Sequence, residues 1–220
     1  MSHEELSPTE RSTVRRGKHR ARSERAELHE VLDNALLCHV GFTVSGHPRV
    51  LPTAFARVDE TMYLHGSTGS RLLREAANGT EMCVAVTLLD GVVYARATAH
   101  NSVNYRSAVI HGRPFAVTDP EAKWSALRAI TEHLAPGSWE HARHPDRREL
   151  AGTAVVGLDL AEASVKTREG DPGDTPEDVA EDRVWAGVLP LHSYWGTPRP
   201  SSEQPRRRPV PEHVSTRRTP

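Results

Sequence analysis

The sequence predicts a mainly β domain with flanking helices, its antiparallel strands closing into a small barrel. Three observations predict it. Six or more strand-like runs follow one another, mostly through short turns. Regular alternation of strand and helix is absent, which argues against a parallel sheet. The 220 residues are enough for one domain with a real core.

SERAELHEVLDNALL places Leu28, Val31, Leu32 and Ala35 at helical spacing, with Ser23 as a possible cap. LLCHVGFTV then reads as a strand, SGHP as a turn, and PRVLPTAFARV as a second strand. Pro52 inside that run predicts an edge or a bulge. MYLHG is a third strand, and GSRLLREAANG a short helix ended by Gly79. EMCVAVTLLD and GVVYARATAH read as two strands joined by a hairpin at Asp90-Gly91. NYRSAVIHGRPFAVT is a further strand, with Gly112 a candidate bulge. Thr118 and Glu121 predict a capping box around Pro120, opening a helix that Pro136-Gly137 stops. Residues 136–151 read as irregular. GTAVVGLDLAEASVKTRE reads as the last long strand. An acidic loop then leads to VWAGVLPL.

Formal net charge is −1, so the whole molecule is not an evident polyanion binder. The ends differ from the middle. Basic residues crowd the first 25 positions, and Pro and Arg crowd the stretch from Thr197. Segments of this kind bury too little apolar surface to offset their ordering entropy. The predicted organisation is a mobile basic arm at 1–17, a folded domain at 18–196 and a disordered Pro/Arg-rich tail at 197–220. No apolar run is long enough to span a membrane, and the N-terminus has no apolar signal region. Cys38 and Cys83 lie in strand-like runs and are expected to be buried reduced thiols, which suits the cytoplasm. Zinc-finger and P-loop signatures are missing.

The joint MYLHGSTGSRLLREA carries the main chemical signal. A helix start offers unpaired N–H groups and partial positive charge. Ser67, Thr68 and Ser70 add hydroxyls, Gly66 and Gly69 permit close backbone approach, and Arg71 adds a fork-shaped cation. Together they would suit a phosphate. The same stretch also fits an ordinary capped turn with a solvated arginine.

The chain resembles the pyridoxamine 5′-phosphate oxidase-like, FMN-binding split-barrel superfamily, in particular its flavin-nucleotide-binding branch that includes 5-nitroimidazole-resistance proteins. The resemblance is carried by LLCHVGFTVSGHPRVLPTAF, MYLHGSTGSRLLREAANG, MCVAVTLLDGVVYARATAH, NYRSAVIHGRPFAVTDPEAKWSAL and VKTREGDPGDTPEDVAEDRVWAGVLPL. It implies an antiparallel split β-barrel, FMN as cofactor, and a homodimer with the cofactor at the subunit interface. It implies a phosphate at Ser67, Thr68, Ser70 and Arg71, beside Gly66 and Leu72, and a ring along Val50, Leu51, Pro52 and Thr53. His65 would lie beside the cofactor, as an FMN contact, a proton donor or an iron ligand. Arg106 and Ser107 would reach the cofactor from the other subunit's side, and Trp185 would close the pocket or bury itself at the interface. The implied reaction is oxidation–reduction of a nicotinamide or other small molecule. Deazaflavin F420 and haem are the alternatives, with His65 or His111 as axial candidates for haem. A non-catalytic flavin-binding module is the remaining reading.

No metal site is expected. His133, His141 and His144 cluster in sequence, but Pro145 follows and no ligand signature is present. Lys166 and Arg168 fit a solvated strand end. The basic arm lacks aromatic interleaving, so nucleic acid is not an expected partner.

Overall fold

The computed structural model describes residues 5–6, 9–203 and 208–218. Ten strands form one antiparallel sheet: β1 (Ala21–Arg22), β2 (Leu37–Val44), β3 (His47–Val58), β4 (Thr61–Ser67), β5 (Met82–Tyr94), β6 (Ser102–Gly112), β7 (Phe115–Ala116), β8 (Thr153–Asp159), β9 (Ala163–Arg168) and β10 (Gly187–Pro190). The α-helices are α1 (Arg25–Asp33), α2 (Arg71–Ala77), α3 (Pro120–Leu134), α4 (Ser138–His141), α5 (Arg147–Gly152), α6 (Pro176–Glu181) and α7 (Glu212–Ser215).

The strand order is β1-β9-β6-β5-β2-β3-β4-β8-β7, with β10 added to β5. The expected closed barrel is therefore an open path: two-residue strands end it on both sides and do not pair with each other. The sheet nevertheless curls around one core. Leu28, Val40, Phe55, Met62, Leu64, Val84, Ile110 and Leu158 are fully or almost fully buried there. Each such side chain contributes about 1.5–3 kcal/mol relative to exposure. A second cluster packs Trp139, Ala126, Leu127 and Val155 with Tyr63, Trp124 and Leu150 on the other face of β4 and β8.

Several local expectations change. Asp90-Gly91 is not a hairpin turn but a bulge inside the continuous strand β5, and β6 pairs with β5 on both sides of it. Gly91 is required there, because a Cβ would stand 2.9 Å from the Leu189 carbonyl oxygen of β10. The predicted last long strand is two strands, β8 and β9, with a turn between them. Residues 136–151 hold α4 and α5. The N-cap of α3 is Asp119, which accepts from the Ala122 amide, and α1 starts after Glu24 without a side-chain cap. Gly112 ends β6 where a Cβ would meet Leu158.

Pro52 sits where the sequence placed it. The half of β3 from His47 to Ala54 pairs with β2 alone, so the missing amide lies on an open edge. At the N-terminus, Leu6 and Ser12 are buried, and Arg11 bridges Glu162 and Glu81. At the other end, Trp195 donates to the Arg218 carbonyl and Arg217 lies 4.0 Å over its ring. No helix among the described residues is long and apolar enough to cross a membrane.

Candidate functional site

The site begins with the Ser45-Gly46 turn. Both residues have positive φ, which sets a tight two-residue hairpin between β2 and β3. Alternation along β3 then turns His47, Arg49 and Leu51 to one side. Across from them stand Phe42 and Val44 of β2. Arg71, the first residue of α2, reaches the same place. These residues line a cleft of about 470 Å³. Its walls are apolar, two permanent cations border it, and none of its lining residues is acidic.

Leu51 and Arg71, two residues the resemblance implies, thus line the same cleft. Val50 lines a different, shallower cleft, shared with Cys83, His111 and Arg11. Pro52 and Thr53 continue along the open edge, with Pro52 exposed and Thr53 half-buried. His47, Arg49 and Phe42 were not singled out from the sequence, although alternation after the Ser45-Gly46 turn was available to find the first two.

The joint between β4 and α2 is more internally bonded than its glycines suggest. Thr68 donates its amide to the Gly152 carbonyl at 2.9 Å, and the Ser70 amide donates to the Ser67 carbonyl at 2.9 Å. The Gly69 amide donates to the Ser67 hydroxyl at 3.1 Å. Ser70 is the N-cap residue but makes no capping bond. The first-turn amides of α2 and the hydroxyls of Thr68 and Ser70 therefore remain to meet an anion, and Arg71, paired with Glu75 through Nε, keeps its terminal nitrogens for one. Arg71 is largely exposed; its Nε lies 3.3 Å from Glu75. Gly66 faces Leu73, and Leu72 is buried in the core, so both shape the joint rather than line the cleft.

His65 lies on the face of β4 opposite the core residues Met62 and Leu64. It pairs in register with Val155, a member of the second cluster. Its Nδ1 is buried without a hydrogen-bond partner, and burial lowers its pKa below the usual imidazole value. A neutral ring with an uncommitted nitrogen fits a metal-ligand role. His111 stands opposite Cys83 on the outer face of the sheet. Cys38 is fully buried, and burial pushes its thiol up to about 12; Cys83 is only half-buried.

Arg106 and Ser107 are not among the residues that line this cleft. Arg106 bonds Asp90 through two nitrogens and reaches Glu30, and Asp90 is the largest cause of its raised pKa. Ser107 donates to the Lys166 carbonyl. Trp185 is exposed, tilted against Tyr94 at 6.1 Å. Among the described residues no group of three or more His, Cys, Asp or Glu could hold a metal.

An antiparallel split barrel with a cationic, apolar-walled cleft beside the open half of β3 defines the class. The chain belongs to the pyridoxamine 5′-phosphate oxidase family, whose model matches residues 24–167. No curated protein is similar enough to count as a match. Among solved structures, the flavocytochrome Anf3 from Azotobacter vinelandii is 36% identical with a TM-score of 0.90, covering 97% of this chain and 99% of that one. The FAD and haem binding protein from Mycobacterium smegmatis is 37% identical with a TM-score of 0.85, covering 89% and 96%. A protein from Bacteroides thetaiotaomicron, described as a 5-nitroimidazole antibiotic resistance protein, shares the fold. It is 20% identical with a TM-score of 0.56, covering 66% and 85%.

Proposed function

We propose that this chain is a redox protein that binds a flavin and a haem. The observation that carries the reading is the cleft that joins Leu51 to Arg71 and Arg49 between apolar walls, with no acidic lining. An anionic headgroup attached to a flat apolar ring is the ligand such a cleft fits. The likeness, over nearly the whole chain, to a flavocytochrome and to an FAD and haem binding protein supports it.

FAD is the proposed flavin, since one of those relatives is named for it; FMN, the expectation from the sequence, shares the ring and one phosphate. Arg71 would hold a phosphate by bidentate bonding, helped by the Thr68 and Ser70 hydroxyls. Arg49 and His47 would meet the second phosphate of FAD. Phe42 and Leu51 would exclude water from the ring. His65 would ligate haem iron, because its buried Nδ1 has no competing partner. When bound, the flavin and the haem supply the electron-carrying chemistry. The chain's part is to bind, orient and shield them.

The unit is proposed to be a homodimer. Leu37, Val50 and Leu51 expose apolar surface on β2 and β3, and Trp185, Leu189 and Leu191 do so at the C-terminal end of the domain. A nicotinamide or other small reducible molecule is the proposed substrate, and the cytoplasm, which keeps Cys38 and Cys83 reduced, the proposed compartment. The test is to purify the protein, take its absorption spectrum, and identify the released small molecules by mass spectrometry. A flavin band with a Soret band, and FAD with haem released, is the expected result. F420 or no cofactor overturns it.

A further inference from the structure

The joint that would receive the flavin phosphate is held from behind by α5. This helix has only six residues, yet it is fastened at both ends. At its start Asp146 and Glu149 form a reciprocal capping box, and Arg143 bonds both carboxylate oxygens of Glu149. At its end the Thr153 hydroxyl donates to the Glu149 carbonyl. The Leu150 carbonyl accepts from Lys123 Nζ at 2.6 Å. The next carbonyl but one, that of Gly152, accepts the Thr68 amide at 2.9 Å.

Lys123 belongs to α3, one residue before Trp124. Its stem is half-buried, and its ammonium sits at the C-terminal end of α5, where the last carbonyls carry partial negative charge. A cation there adds a second donor to a carbonyl that already accepts the Thr153 amide, and strengthens the end of the helix. The fixed end in turn supports the position of the Gly152 carbonyl, which carries the pairing of Ser67 with Thr153 one residue further, to Thr68. Thr68 is followed at once by Gly69, Ser70 and Arg71. Without the ammonium, the end of this six-residue helix is held by Thr153 alone, and fraying there would loosen the Thr68 amide.

We propose that Lys123 is a positioning residue for the flavin phosphate, acting through α5 and the Gly152–Thr68 hydrogen bond. It does not touch the ligand. This inference rests on the reading of the 67–71 joint as a phosphate site. It extends that reading to a residue more than fifty positions away, on the helix that also covers the His65 face. Trp124 and Leu150 both pack in the cluster that holds Val155, the register partner of His65. The two proposed cofactor faces therefore share one mechanical support.

The experiment titrates FAD and FMN into the apoprotein for the wild type, Lys123→Met and Lys123→Arg. Met keeps the apolar stem and removes the cation; Arg restores a donor. Hydrogen exchange at Thr68–Arg71 and thermal midpoints are measured on the same samples. The expected result is that Lys123→Met weakens both flavins about tenfold, the scale of one lost buried hydrogen bond. Exchange at Thr68 should speed up, Lys123→Arg should recover most of the affinity, and the midpoint should stay nearly constant. Unchanged affinity and unchanged Thr68 exchange in Lys123→Met overturn the inference. So does an affinity loss that Lys123→Arg fails to recover while the midpoint collapses. A wild type that binds neither flavin overturns the phosphate reading itself, and the inference with it.

Discussion

Leu51 and Arg71 line one cleft, although one sits on the half of β3 that pairs with β2 alone and the other opens a helix. Strand β4 and its joint carry the chain from the first to the second. The pairing matters because it sets an apolar wall beside a permanent cation, the combination that a flavin nucleotide requires.

The Arg71 side of that pair is tested by Arg71→Glu. The side chain is largely exposed, so the fold should persist. The new charge faces Glu75 one turn on, a like-charge pair that costs about 0.2–0.5 kcal/mol. Flavin affinity should fall by at least about a hundredfold, the loss of a charge-assisted phosphate contact plus repulsion. Flavin fluorescence quenching checks this, with circular dichroism for the fold.

His65 makes a second prediction, this time on pH. Burial lowers its folded pKa from 6.5. The unfolded chain then takes up the proton more readily than the folded chain. The ring's contribution is complete above the unfolded value and declines as pH falls from there toward the lower folded value. His65→Ala should flatten that acid-side decline and should also abolish the Soret band of haem-reconstituted protein. Urea midpoints at several pH values and visible spectra check the two halves separately. A Soret band that survives intact moves the proposed ligand role away from His65.

Strands were readable because their signal is periodic and repeated, as in the alternating Val40, Phe42 and Met62, Leu64 pairs of the core. Asp90-Gly91 misled for the opposite reason. A turn dipeptide is a local preference, while continuous pairing with β6 is a tertiary fact that overrides it. The helices at 138–152 were missed because they are too short to show a period. Asp146 and Glu149, three apart, were the available sign of one of them. In the site, the resemblance pointed to Val50–Thr53 of the neighbouring strand but not to the residues just before them. There the alternation of His47, Arg49 and Leu51 adds the second cation.

The proposed dimer is tested through Val50, whose side chain is exposed on the outer face of β3. Val50→Asp should leave the monomer folded, because most of that side chain already faces solvent. It should shift the mass measured by light scattering toward that of one chain. A mass unchanged from wild type at every concentration would remove this face from the interface.

Core packing gives a stability prediction that is independent of any cofactor. Phe55 is fully buried and its ring stands 5.5 Å from that of His133 on α3. Phe55→Ala should destabilise the protein by about 3–5 kcal/mol, from lost burial and the cavity left behind. Denaturant unfolding measures it. A loss below about 1 kcal/mol would mean that the core between β3 and α3 is packed differently.

The most direct test of the central claim is a crystal structure of the protein grown with FAD. The account predicts a phosphate within hydrogen-bonding distance of the Arg71 guanidinium and the ring against Leu51. Density for the cofactor in another place, with Arg71 still turned toward Glu75, would contradict it.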